Sequence, residues 1–240
     1  MASTDDPMDP AAIQARSQHL GRTRRAPVAS RVEYLRDLAR DKRVLDIGVV
    51  DHSSDTDRRD NWLHGALAGT ASELLGVDIV AGEIERLKEQ GYNVECMDVT
   101  AGELPPGQWD LIVAGELLEH LSSPGGLFDA AAKLLAPAGT LVLTTPNPYA
   151  LWRVAQNLSD RTSENLDHAL LINPWGMTEL ADRAGLGLLS FRGIGPNPVG
   201  WKAQLAYKAS GLGLVKMTPE AFCESILYEV GHNSADPAFS

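Results

Sequence analysis

Short apolar runs bounded by turn residues recur through the first two thirds of the chain. Arg43–Gly48 (RVLDIG), Glu73–Ile79 (ELLGVDI), Asp110–Gly115 (DLIVAG) and Thr140–Thr144 (TLVLT) are apolar at successive rather than alternate residues. That is the pattern of strands buried on both faces. Tyr92–Met97 (YNVECM) is a weaker fifth run. Between the runs, Asp60–Thr70, Gly82–Gln90 and Pro124–Leu135 have helical spacing, and the last begins after Ser122–Ser123 and stops before Pro137 and Gly139. Strands alternating with helices predict βαβ units, a mostly parallel sheet and helices on both of its faces. Val28–Arg40, with Val32, Leu35 and Leu38, predicts an amphipathic lead-in helix. Farther on, Tyr149–Leu158 and Trp175–Ala184 read as helices separated by a polar loop from Ser159 to Asn173, and Leu186–Ile194 and Glu224–Val230 as strands. The expected organisation is a flexible N-terminal arm, residues 1–26, and a single α/β domain, residues 27–240.

Composition narrows the chemistry. The 240 residues carry 21 Lys+Arg against 32 Asp+Glu, a formal net charge of −11. A nucleic-acid binder gains affinity by neutralising phosphates with Lys and Arg, so nucleic acid is not an expected partner. Arg22, Arg24, Arg25, Arg31 and Arg36 form a basic cluster, read as a solvated helix face. Cys96 and Cys223 lie in no CxxC pair, which fits buried apolar thiols in a reducing cytoplasm. No run approaches the ~18 apolar residues of a membrane span, and MASTDDPMDP lacks the pattern of a signal peptide.

In an open parallel sheet, ligands bind in the crevice beyond the carboxyl ends of the strands. Here those ends are acidic: Asp46-Ile47-Gly48, then Asp78-Ile79, then Asp98-Val99. A carboxylate at the second end can accept both hydrogen bonds of a ribose diol, and one at the third can meet an exocyclic amine beside an apolar base contact. The alternative is that each Asp caps the turn that follows it. VLDIG, GVD, MDV, DLIVAGELLEHL and GTLVLTTPN together resemble the class I S-adenosylmethionine-dependent methyltransferases over Arg43–Gly185. The resemblance implies a Rossmann-like fold with a seven-stranded sheet whose last strand is antiparallel. It also implies S-adenosylmethionine held by Asp46, Ile47, Gly48, His52, Ser53, Asp78, Ile79, Asp98 and Val99. One departure stands out: where the family has a glycine-rich GxGxG turn, this chain reads Gly48-Val49-Val50-Asp51-His52-Ser53. Valine does not adopt positive φ cheaply, so the loop must take another path. An HSS loop followed by WLHG (Trp62–Gly65) is similar to a branch of bacterial saccharide-modifying methyltransferases; His64 and His52 are candidates to face the cofactor.

GELLEHL places Glu116, Glu119 and His120 at i, i+3 and i+4, one face of a helical turn if Glu116 opens it. Two carboxylates and an imidazole on one face suit a divalent ion, with a fourth ligand expected from Asn165-Leu166-Asp167-His168. ExxEH followed by a later His resembles metal-dependent O-methyltransferases, among them RNA 2′-O-methyltransferases and, more loosely, quinone-ring O-methyltransferases. The resemblance implies Mg²⁺ or Mn²⁺ on Glu116, Glu119, His120 and His168, with His120 and His168 also serving catalysis. A sugar hydroxyl is a weak acid that a bound cation could activate. The leading expectation is therefore a metal-dependent O-methyltransferase acting on a sugar hydroxyl beside a second hydroxyl. Tyr149, Trp152, Trp175 and Trp201 are candidates to roof a small saccharide substrate. The alternatives are methylation of an RNA 2′-hydroxyl or of a phenol or quinone ring, and a non-catalytic cofactor-binding protein. A homodimer contacting through the N-terminal helix or through Gly193–Val215 is compatible with the sequence.

Overall fold

The computed structural model describes residues 6–50, 62–159, 161, 164–195, 205, 208 and 217–233. Its centre is one seven-stranded sheet formed by β1 (Arg43–Ile47), β2 (Glu73–Asp78), β3 (Val94–Cys96), β4 (Trp109–Gly115), β5 (Leu135–Pro146), β6 (Leu186–Ile194) and β7 (Ser225–His232). The order is β3-β2-β1-β4-β5-β7-β6. β1 to β5 pair in parallel and β7 runs antiparallel to both β5 and β6. This is the expected Rossmann-like methyltransferase architecture with its antiparallel strand.

The apolar runs are explained by burial on two sides. In β1, Leu45 and Ile47 join the large cluster under α5 (Gly125–Leu134) and α7 (Pro174–Arg183), while Val44 faces the opposite cluster with Leu35 of α2 (Arg31–Leu38) and Leu67 of α3 (Leu63–Ala68). A third cluster, containing Val49, Trp62, Ile84, Leu87 and Val94, packs α4 (Ala81–Glu89) near the β2–β3 edge. Two helix starts are capped by side chains, whereas α5 starts after Pro124 with no side-chain cap bond. Ser30 Oγ accepts from Glu33 N at 3.3 Å, and Asn173 Oδ1 accepts from Gly176 N at 2.8 Å ahead of Pro174. Among the described residues, no helix is long and apolar enough to cross a membrane.

Residues 6–26, read from sequence as part of a flexible arm, pack on the domain. Pro10–Thr23 forms the fourteen-residue helix α1, capped by Asp9. Arg16 reaches Glu179 at 2.7 Å and Asp182 at 3.1 Å on α7 and lies over the Trp175 ring. The chain then runs beside the outer strand: Arg25 N donates to Phe191 O at 2.9 Å, Val28 N to Gly193 O at 3.0 Å, and Gly195 N to Val28 O at 2.8 Å. An open strand edge carries unpaired backbone groups, and this segment covers that of β6. The partners lie far along the chain, so local composition could not reveal them. Removing residues 1–26 should lower the melting temperature by at least about 5 °C, from the lost packing and the uncovered edge. An unchanged transition in scanning calorimetry would show that the segment contributes nothing to the fold.

Candidate functional site

The chain leaves β1 for β2 and β3 on one side, then crosses to β4 on the other. The crevice at such a reversal is the ligand position of open α/β sheets. A cavity of about 720 Å³ opens there, lined by residues that include Asp46, Gly48, Asp78, Ile79, Glu116, Glu119, His120 and His168. Eight of the expected site residues are thus brought to one space. Ile47 is buried in the core and does not line the cavity. His52 and Ser53 lie outside the described residues.

At the end of β1, Gly48 adopts φ +82°, and its N–H donates to Val77 O at 2.9 Å. Among the described residues of this loop, only Gly48 takes the left-handed region; Val49 and Val50 follow it without positive φ. The valine loop is held from two directions. Trp62 Nε1 donates to Val49 O at 2.9 Å, and Val50 N donates to Asp78 Oδ2 at 2.9 Å. Asp46 is met by a side chain instead: His64 Nδ1 lies 3.2 Å from its Oδ2, with the histidine 1% and the aspartate 3% exposed. β2 makes room for that imidazole, because a Cβ at Gly76 would lie 2.6 Å from His64 Cε1 and 2.8 Å from Val49 Cγ1. The glycine that matters here is therefore on the neighbouring strand.

Asp78 is 9% exposed and ties down its surroundings, accepting from Val80 N at 3.1 Å as well as from Val50. Asp98 behaves as a cap. Its Oδ1 accepts from Thr100 N at 3.0 Å, Thr100 Oγ1 at 2.7 Å and Ala101 N at 3.1 Å. These bonds, Thr100 Oγ1 foremost, hold its carboxyl below the usual range. Neither Asp98 nor Val99 lines the cavity, so the expected adenine contact does not follow from their position.

The turn after β4 departs from helical geometry. Glu116 has φ +53°, and its N–H goes to Thr144 O at 2.9 Å and Thr144 Oγ1 at 3.2 Å. Only Leu118–His120 forms a helical turn, of the tight 3-10 type. The expected common face of Glu116, Glu119 and His120 is broken, and Glu116 Oε1 pairs with Arg31 Nη1 at 3.5 Å. Glu119, His120 and His168 do converge, each offering a ligand atom within 4.8 Å of the others. The segment carrying His168 is fastened to the turn by Ala169 N, which donates to Glu119 O at 2.7 Å.

Each member of this trio has a distinct environment. Glu119 is 1% exposed and neither carboxylate oxygen has a well-formed hydrogen bond. Burial, reinforced by the neighbouring Glu116 charge, pushes its carboxyl up to about 8. His120 Nδ1 lies 3.2 Å from Asp167 Oδ2. His168 Nδ1 lies 3.1 Å from Glu164 Oε1, and its Nε2 is 3.2 Å from Asn165 Nδ2. Glu164 is itself paired with the buried Arg153, whose Nε donates to Asn147 O at 3.1 Å. Mixed nitrogen and oxygen donors, with carboxylates behind both imidazoles, form a donor set that fits a divalent cation.

Sequence reasoning missed Arg31 and Trp62 as cavity residues. Arg31 had been placed on a solvated face; the capping motif of α2 carried a signal, since it sets the helix start at this arginine. Trp175, expected to roof a substrate, is instead the 38% exposed ring under Arg16. Trp201 lies outside the described residues.

The methyltransferase-domain family matches residues 20–190. Among curated proteins, the ubiquinone biosynthesis O-methyltransferase of Methylococcus capsulatus is 30% identical over 147 residues, covering 56% of this chain and 62% of its own length. The protein of the same name from Burkholderia vietnamiensis is 27% identical over 182 residues, covering 69% and 73%. The match thus spans less than two thirds of the Methylococcus protein. Among solved structures, the magnesium protoporphyrin IX methyltransferase of Synechocystis has a TM-score of 0.55 at 13% identity, with 96% of this chain and 90% of that one covered. The CcbJ methyltransferase of Streptomyces caelestis also has a TM-score of 0.55, at 16% identity over 84% and 87% of the two chains. The structural likenesses are of fold; together with the family match over most of the sequence, they make this chain a member of the methyltransferase family, of the class I S-adenosylmethionine-dependent type.

Proposed function

We propose that the protein transfers the methyl group of S-adenosylmethionine to a hydroxyl on an aromatic ring of phenol or hydroquinone type. This corrects the leading expectation from sequence, a metal-dependent methyltransferase of a saccharide diol. The curated relatives are named for ubiquinone biosynthesis, and so favour the ring-hydroxyl alternative. The position of Glu119, His120 and His168 on the same cavity as Asp46 and Asp78 supports methyl transfer to an oxygen held there, and the ring acceptor rests on those relatives.

Methyl transfer from a sulfonium is an in-line displacement: the acceptor oxygen forms its bond to carbon as the carbon–sulfur bond breaks, and the sulfide leaves with that electron pair. The protein must align the two reactants and favour the deprotonated oxygen. A phenol, with pKa near ~10, is far easier to ionise than a sugar hydroxyl. Asp46, Gly48, Asp78 and Ile79 would border the cofactor, and the acceptor would approach from the Glu119 side. Glu119, His120 and His168 would hold a divalent cation, Mg²⁺ or Mn²⁺, which when bound lowers the pKa of an oxygen lying against it. The chain's own part is orientation. Asp167 lies behind Nδ1 of His120 and Glu164 behind Nδ1 of His168, which orients each ring, and a cation taken by His168 Nε2 would replace its contact with Asn165 Nδ2. Arg31 pairs with Glu116, the second acid beside Glu119.

Two measurements follow. Purified protein given S-adenosylmethionine should methylate a catechol or hydroquinone acceptor, lose that activity on EDTA treatment and recover it with Mn²⁺ or Mg²⁺. Transfer to a saccharide diol but not to the ring acceptors would contradict the acceptor class, and transfer undiminished by EDTA would contradict the cation. The second concerns the metal-free protein. Because the Glu119 carboxyl is raised from 4.5 to about 8 on folding, the folded state keeps a proton that the unfolded chain releases above its own pKa. Stability is therefore complete below about pH 4.5 and declines as pH rises through about 8. Glu119→Gln should match wild type at pH 5 and exceed it at pH 8 by about 2–4 kcal/mol, or several degrees of melting temperature. Equal differences at the two pH values would show that Glu119 is not buried as a neutral acid.

A further inference from the structure

Arg31 is the only Lys or Arg among the described residues that line the cavity, which five carboxylic acids share with it. Its place is set by the backbone. Val28, three residues earlier, is held on the edge of β6 by bonds to Gly193 O and from Gly195 N, and Ser30 caps the start of α2. Arg31 is the first residue of that helix. Its guanidinium lies at the end of β4, with Nη1 3.7 Å from where a Cβ on Gly115 would stand.

The contacts of that guanidinium are one-sided. Nη1 reaches Thr144 Oγ1 at 3.4 Å and Glu116 Oε1 at 3.5 Å, both longer than an ordinary N–H···O bond. Nε and Nη2 have no partner among the described residues. Those two nitrogens form the edge that meets a carboxylate with two parallel hydrogen bonds. Arg43 shows the geometry in the same molecule, its Nε and Nη2 donating to the two oxygens of Asp110 at 3.2 Å each. At Arg31 the same edge is left for a ligand.

Charge and reach decide what that ligand is. Beside the cavity's acids an anion is repelled, whereas beside Arg31 it gains a charge-assisted pair. Glu116 spans the gap between Arg31 and the trio: it touches the guanidinium and, after burial, is the next cause that raises the Glu119 carboxyl. One aromatic ring is of the size to place a hydroxyl on the Glu119 side and a substituent at Arg31. We infer that Arg31 anchors a carboxylate carried by the acceptor: the substrate is a hydroxylated aromatic acid whose carboxylate takes the Nε–Nη2 edge while its ring hydroxyl lies at Glu119, His120 and His168. Nη1 keeps its contact with Glu116 throughout. The inference rests on the ring-hydroxyl reading and narrows it to anionic acceptors.

The test compares 3,4-dihydroxybenzoate with its methyl ester, which keeps the diol and the ring but loses the charge. Binding to the protein loaded with S-adenosylhomocysteine and Mg²⁺ is measured by calorimetry on wild type, Arg31→Met and Arg31→Lys. Wild type should favour the acid over the ester by roughly 10- to 100-fold, the value of a hydrogen bond between charged groups. That ratio should fall to within about threefold in Arg31→Met. Arg31→Lys, which keeps the charge without the two-nitrogen edge, should give an intermediate ratio. A wild-type ratio near one, or a preference for the ester, would overturn the inference and leave the ring-hydroxyl reading standing. That criterion needs no variant, so it holds even if Arg31→Met fails to fold. A preference for the acid that survives in folded Arg31→Met would also overturn it, by placing the carboxylate elsewhere. Wild type that binds S-adenosylhomocysteine but neither ring compound would overturn the ring-hydroxyl reading, and this narrower claim with it.

Discussion

Two carboxylates buried in one cavity, Asp46 and Glu119, set the terms for everything around them. An ionised carboxylate taken out of water must be paired, hydrogen-bonded or protonated. The chain answers the two cases differently. Asp46 receives an imidazole from α3, and β2 gives up a side chain at Gly76 to admit it. Glu119 receives no well-formed hydrogen bond, has a second acid nearby, and keeps its proton up to about pH 8. Asp46 thus meets its partner within the protein, whereas Glu119 stands where the proposed cation would be held.

The sheet is what brings the two acids together. β1 and β4 are neighbours although β2 and β3 intervene in the chain. Their carboxyl ends therefore open on one crevice, with Asp46 on one side and the Glu116–His120 turn on the other. β5 carries Thr144, which anchors the backbone of Glu116, and leads to Asn147, whose carbonyl receives Arg153. From Arg153 the contacts run through Glu164 to His168. A residue remote in sequence is thus held against Glu119 by a chain of charged and backbone contacts.

Much of this was legible in the sequence because burial on both faces leaves a strong mark. Runs such as RVLDIG and DLIVAG announced parallel strands, and their acidic ends pointed to the crevice. Where the reading failed, it treated tertiary geometry as if it were local. ELLEH has helical spacing, yet Glu116 takes φ +53° with its N–H claimed by Thr144, so the common helical face of Glu116, Glu119 and His120 does not form. Asp98 looks like its counterparts but spends its carboxylate on the next turn. α1 looked like a loose arm because its partners, Glu179 and Asp182, lie far along the chain. The choice of substrate was the least legible: a diol and a phenol both suit the same metal-like cluster, and the ring acceptor is favoured by kinship rather than by any pattern of residues.

The central claim is that one cavity holds the cofactor beside Asp46 and Asp78 and a divalent cation at Glu119, His120 and His168. A crystal grown with S-adenosylhomocysteine and Mn²⁺, measured at the manganese absorption edge, tests it most directly. The account predicts an anomalous peak bonded to Glu119, His120 and His168, with the ligand in the same cavity, bordered by Asp46 and Asp78. S-adenosylhomocysteine bound outside that cavity, or no manganese at the trio, would contradict it.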